Sequence, residues 1–341
     1  MFRASLLLSL ATAVLGLSAG DLKVSVKAVS PSVKSVDDIV ITAVVSNPTK
    51  KDIRVIAKNN ILDGSATRSF AVSKADNSVL FTGVRTTLDL TAEGIYTTIP
   101  AGSSIAAHSG LSPIPFSKLV PVQPRSMSTP ITSLLKSRMM WPNANFFPLQ
   151  ARTSTPVCGD AGKLQIIKDS LSYGRSLAGG AASDIKTHPN SAEFNTYFGG
   201  NNQNDIWYNM DRIAGDLSSI SGDRTINCNN DPAALCGGNG GVIAYTIVVT
   251  SGGKIVGSNI YTCEIFYTLV QPTPSVCTNG FDSTTSSRGG VILHELSHAT
   301  SGSADIIYGC SNTAQLSAAN KKNNADNYRC MGLAIYKHYN C

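Results

Sequence analysis

The chain has 341 residues, 42% of them apolar and only 15% charged, which excludes a disordered chain and suits about two ordinary domains. Its net charge of +6 is uneven: residues 1–152 carry 16 Lys and Arg against 8 Asp and Glu, whereas residues 153–341 carry 12 against 14. The basic half has no interleaved aromatics, so a nucleic-acid partner is not expected, and a basic segment lying on a mildly acidic one is the simpler reading.

Arg3, the apolar run from Ser5 to Leu17 and the small residues Ser18 and Ala19 have the layout of a secretory signal, residues 1–19. The run is shorter than the ~20 apolar residues a membrane span needs, and no later stretch is long enough, so no membrane association is expected. Residues 22–26, 39–45 and 78–81 are short, rich in Val, Ile and Thr, and separated by turn residues such as Asn47-Pro48 and Asp63-Gly64. They predict a small antiparallel β-sandwich. Residues 123–157 read as an exposed connector, interrupted by Pro124, Pro130, Pro142, Pro148 and Pro156 and dotted with Arg125, Lys136, Arg138 and Arg152. We read it as the junction of a propeptide (20–152) and a mature enzyme (153–341); a plain interdomain linker is the alternative.

All eight cysteines lie from Cys158 onward, and an even number in an exported chain implies disulfides. The periodicity also changes there. Leu164, Ile167 and Leu171 fit one helix face; Ile206, Met210, Ile213 and Leu217 fit another. β-like runs follow at 242–250 and 254–270, then a helix from Gly289-Gly290 through His298, then a helical stretch over 313–339. The fold class expected is α+β: a mainly helical catalytic domain with a short β-sheet, preceded by the β-sandwich.

In His294-Glu295-Leu296-Ser297-His298 the two histidines are four apart. On a helix both imidazoles project from one face and suit one metal ion, while Glu295, about 100° around, suits a water beside it. This is the pattern of zinc peptidases; the alternative is two histidines on a half-buried helix face. Catalytic zinc takes three protein ligands and leaves one position open. No Glu follows Glu295, and residue 304, where a third His would be sought, is Ala. The downstream acids left are Asp305 and Asp326, and Gly302 can turn the chain back toward the helix. His108, His188 and His338 have no partner at ligand spacing and read as surface or structural residues.

The helix motif followed by Asp305-Ile306-Ile307-Tyr308-Gly309 resembles the signature of the deuterolysin family, the aspzincins, secreted zinc endopeptidases with a zincin-like fold. The similarity runs from about residue 153 to Cys341 and takes in Ile243-Ala244-Tyr245-Thr246, Asn323-Asn324-Ala325-Asp326 and the terminal cysteine. Phe81-Thr82-Gly83-Val84-Arg85 resembles the family's propeptide more loosely. The resemblance implies one zinc ion per chain on His294, His298 and Asp305, Glu295 as general base, and Tyr308 at the substrate carbonyl or oxyanion. It also implies disulfides 158–228, 236–263 and 277–341, which leaves Cys310 and Cys330 to form a fourth. Asp326 matches a position that faces a substrate lysine in the peptidyl-Lys branch. Arg329 stands where that branch has a second acid, so a strict lysine preference is not expected. The expected protein is a secreted, monomeric endopeptidase acting on protein or peptide substrates, with its own propeptide as inhibitor or chaperone. The rival reading is a secreted zinc-scavenging or host-binding protein on the same fold, which should carry extra His or Cys near its C-terminus.

Overall fold

The computed structural model describes residues 21–28, 40–58, 60–64, 73–74, 77–78, 81–110, 154–216, 224–237, 241–251 and 254–341. The signal-like segment, Arg152 and most of the connector lie outside these residues, as does Leu217.

The described residues of the first half hold the strands β1 (Lys23–Ala28), β2 (Val40–Ser46), β3 (Ile53–Ile56), the two-residue β4 (Ser73–Lys74) and β5 (Asn77–Ser78), β6 (Phe81–Leu88), β7 (Tyr96–Ile99) and β8 (Ser104–Gly110). Among the described residues they form a β1-β2-β8 sheet and two small pairs, β3-β7 and β4-β5. Ala43 and Val45 on β2 are buried while their neighbours are not, the period-2 pattern of a strand with one covered face. β6 leaves this group and joins the sheet of the second half.

The second half runs β9 (Ser154–Val157), α1 (Ala161–Thr187), α2 (Ala192–Phe198), α3 (Gln203–Ala214), β10 (Arg224–Asn227), β11 (Val242–Ser251), β12 (Lys254–Thr262), α4 (Glu264–Thr268), α5 (Val276–Asn279), α6 (Arg288–Ser301), α7 (Cys310–Thr313), α8 (Ala318–Asn323) and α9 (Ala325–Asn340). The α+β class is as expected; some boundaries differ. Residues 154–157, expected in the connector, form a strand parallel to β10. The β-like run does not reach residue 270, because Cys263 starts the helix α4. The helical stretch over 313–339 is three helices, with Ser317 capping α8 through its hydroxyl and extended backbone at Asn324 separating α8 from α9.

The five-stranded sheet has the order β6-β11-β12-β10-β9, so β6 is one of its edges. One face carries α6, and beyond it α1, α3 and α9 complete the main core around Ile167, Leu171, Ile206, Met210 and Ile213. Val84, Leu88, Val242, Tyr245, Ile247, Tyr261 and Tyr308 form a second apolar cluster. Four disulfides tie the second half together: Cys158–Cys228, Cys236–Cys263, Cys277–Cys341 and Cys310–Cys330. Among the described residues no helix is long and apolar enough to cross a membrane.

Helix α6 is buried from Gly289 to Thr300. It starts where Ser287 Oγ accepts the N–H of Gly290 at 2.9 Å and stops at Gly302, in the left-handed region at φ +70°. It crosses α1 closely: a Cβ on Gly289 would stand 2.5 Å from Tyr173 Cβ and 2.6 Å from Thr273 Oγ1. Gly289→Ala is therefore expected to destabilise the protein by about 1–3 kcal/mol, as overpacking does. Chemical denaturation checks this; an unchanged midpoint would show that the crossing has slack.

Candidate metal centre

On α6 the side chains of His294, Glu295 and His298 are fully buried. His294 and His298 share one face, with ring centroids 4.7 Å apart. Gly302 ends the helix and donates its N–H to His298 O at 3.1 Å, which turns the chain back over that face. The loop after it is pinned by Asn324, whose Oδ1 accepts from Ile306 N at 2.9 Å and Ile307 N at 3.2 Å and whose Nδ2 donates to Ile307 O at 3.0 Å. The loop thereby delivers Asp305: its Oδ1 lies 2.9 Å from His294 Nε2 and 3.1 Å from His298 Nε2.

Among the described residues His294, His298 and Asp305 are the group spaced to hold a metal, their ligand atoms all within 4.8 Å of one another. The fit can be tested on the other ring nitrogens. His298 Nδ1 faces Ser303 O at 2.8 Å, a carbonyl that can only accept, so Nδ1 carries a proton and in the neutral ring Nε2 is bare. Despite its closeness to Asp305, that Nε2 makes no hydrogen bond. His294 Nδ1 faces Asp326 Oδ1 at 3.1 Å, the carboxylate–histidine arrangement that orients metal ligands. The bare Nε2 of His298 and the carboxylate oxygen of Asp305 repel one another unless a cation sits beside them. The separations of about 3 Å are close to the ~3.3 Å between ligand atoms of a tetrahedral zinc site. The residues fit a zinc ion.

The charges agree. Burial alone would pull the His294 imidazolium down, but Asp305 and Asp326 on its two nitrogens outweigh that and raise it to about 10. Burial would raise Asp305, but the two imidazoles outweigh it and hold the carboxyl well below its usual range. Burial pushes the Glu295 carboxyl up, offset in part by the histidines and by two threonine hydroxyls.

Glu295 turns away from the two imidazoles, toward the sheet. Thr246 on β11 donates to its Oε2 at 2.6 Å, and Thr87 on β6 donates to its Oε1 at 2.5 Å. Tyr308, buried in the second cluster, donates its hydroxyl to the carbonyl of Thr86. Thr86 N in turn donates to Asp305 Oδ2 at 3.2 Å.

Asp326, expected to face substrate, lies behind His294. Asp326 is fully buried. Its oxygens are taken by His294, by Gly309 N at 2.8 Å and by Arg329, whose Nε and Nη2 lie at 2.5 and 3.0 Å. A side chain so enclosed positions His294 and the loop. His188 pairs with Asp184 and His338 with Glu193, away from the centre; the His108 side chain lies outside the described ones.

The motif gave no sign of Thr246, Thr87, Asn324 and Ser303. Thr246 and Asn324 stand in segments that carry the family resemblance, but a hydroxyl or an amide has no spacing rule that marks it. Thr87 could not be found without knowing that β6 joins the catalytic sheet.

Residues 184–331 match the family model described as lysine-specific metallo-endopeptidase. A neutral protease 2 homolog of Aspergillus fumigatus is 26% identical, covering 96% of this chain and 76% of that protein. Penicillolysin of Penicillium citrinum is 26% identical, covering 96% of this chain and 98% of that one. A zinc peptidase from Grifola frondosa covers 51% of this chain and 96% of its own at 19% identity, with a TM-score of 0.36. The family match and the protease relatives bear out the resemblance to the deuterolysin family.

Proposed function

We propose that this metalloendopeptidase, similar to the deuterolysins, is secreted as a precursor and cleaves proteins with one zinc ion held by His294, His298 and Asp305. The observation that carries the ligand set is the convergence of two oriented imidazole Nε2 atoms on one carboxylate oxygen, 2.9 and 3.1 Å away, in a fully buried pocket. Bound zinc would lower the pKa of a water to about 7 and polarise the substrate carbonyl. Glu295 takes the proton of the attacking water and passes it to the leaving amine, with Thr246 fixing its carboxylate. Tyr308 holds the substrate carbonyl, the part its hydroxyl plays toward Thr86. Asp326 keeps His294 in its orientation.

Residues 1–19 are the proposed signal peptide, 20–152 the propeptide and inhibitor, and 153–341 the monomeric mature enzyme. Cysteines all joined in disulfides suit an extracellular protein. Arg329 satisfies the charge of Asp326, which therefore does not serve a substrate lysine, so cleavage is not confined to lysyl bonds. The tail shows no second metal cluster among the described residues, which gives the scavenging reading no support.

The test is metal analysis with casein cleavage on the matured protein, wild type against Asp305→Ala. The variant should lose zinc affinity by more than the ~10–100-fold that changes to a residue behind a metal ligand cost, and lose cleavage with it. Unchanged zinc content would refute Asp305 as a ligand.

A further inference from the structure

We infer that β6 is the enzyme's own inhibitor bound as a substrate strand, with the Thr86–Thr87 peptide bond in the reacting position. This deepens the reading above and rests on its roles for Glu295, Asp305 and Tyr308.

Three contacts bracket one peptide bond. Thr86 N donates to Asp305 Oδ2 at 3.2 Å, Thr86 O accepts from Tyr308, and the next residue, Thr87, donates its hydroxyl to Glu295 at 2.5 Å. Ligand, oxyanion donor and general base are thus all engaged by adjacent residues of one strand. The strand runs antiparallel to β11 from Phe81↔Thr250 to Leu88↔Val242, at the edge of the sheet where an extended peptide can add. Because the N–H and C=O of Thr86 both point to the 305–308 loop, those of Arg85 and Thr87 face β11.

Side chains anchor the strand. Val84 and Leu88 alternate with Thr87 and are buried in the cluster that contains Tyr308. Leu88 O accepts from Thr284 Oγ1 at 2.8 Å, and Asp89 N donates to Gly241 O at 2.6 Å just beyond the strand. A peptide bond placed for attack survives there because the strand disables the machinery. The Thr87 hydroxyl caps the carboxylate that must accept the water's proton. Fully buried Thr87 also stands against Glu295, in the space that the water needs. Removal of residues 20–152 would free the base, the Tyr308 hydroxyl and the edge of β11 together.

The test uses the uncleaved, zinc-loaded full chain: wild type, Thr87→Val, which keeps the shape and deletes the hydroxyl, and Arg85→Pro, which removes a ladder hydrogen bond. Two readouts are taken: binding of a fluorescent peptide of residues 81–88, and casein cleavage with intact mass verified. Wild type should exclude the peptide and be inert. Arg85→Pro should bind it at least about tenfold more tightly, and Thr87→Val should cleave casein at least about tenfold faster than wild type, the effect of losing one hydrogen bond to a charged group. Equal peptide binding by wild type and Arg85→Pro, with Thr87→Val as inert as wild type, would overturn the inference. If instead no form cleaves casein while peptide binding still differs, β6 occupies the edge as inferred and the catalytic reading fails.

Discussion

Glu295→Gln should keep zinc at one ion per chain and lose casein cleavage by about 10²–10⁴-fold, the usual worth of a general base. The separation of the two outcomes follows from the geometry. Glu295 touches neither His294, His298 nor Asp305 by hydrogen bond; its oxygens go to Thr246 and Thr87. A glutamine has the same shape, and a threonine hydroxyl can either donate or accept, so the Thr246 contact survives the exchange in the matured protein and the Thr87 contact in the precursor. What disappears is a group able to take a proton from water. Zinc by emission spectroscopy and kcat/KM on the matured protein decide it. A zinc-loaded variant within threefold of wild type would remove Glu295 from the mechanism, and a variant without zinc would show that the carboxylate supports the ligands after all.

The catalytic helix was legible because its chemistry and its periodicity coincide. Two histidines at i and i+4, preceded by a glycine pair and followed by Gly302, mark a helix, its face and its end with no tertiary information. Asp305 was legible only through the loop signature, since a carboxylate four residues beyond the end of a helix has no periodicity to place it. What delivers it is the amide of Asn324, nineteen residues further on, and no local rule connects the two. β6 shows the limit more sharply. Its sequence reads correctly as a strand, but pairing with β11 across about 160 residues is a non-local choice. Composition divided the chain near residue 152, and the division hid the fact that the catalytic sheet takes its edge from the first half. The enclosure of Asp326 was hidden for a related reason: it lies in the first turn of α9, and only the packing of Arg329 against it reveals that it is enclosed.

That enclosed pair gives the second large effect. Arg329 is fully buried. It holds both oxygens of Asp326 and donates to Phe281 O at 3.2 Å, Asp282 O at 3.2 Å and Ser283 O at 3.0 Å. One guanidinium therefore joins α9, the 281–283 loop and, through Asp326 and Gly309, the turn that follows Tyr308. Arg329→Met keeps much of the volume but strands a buried carboxylate and three carbonyls. It should cost about 3–5 kcal/mol, the range for breaking a buried ion pair by removing one partner. Lysine should rescue little, because a single ammonium cannot reproduce a planar fork of five donors. Adding Asp326→Asn separates charge from packing: with the unpaired carboxylate gone, the double variant should lose less than the sum of the two single losses. Zinc affinity reports the functional consequence. Asp326→Asn alters the acceptor behind His294 Nδ1 and should weaken metal binding about 10–100-fold. If denaturation of Arg329→Met shows a loss under ~1 kcal/mol, the ion pair is not what holds the loop, and the alignment of His294 must come from the α6 packing alone.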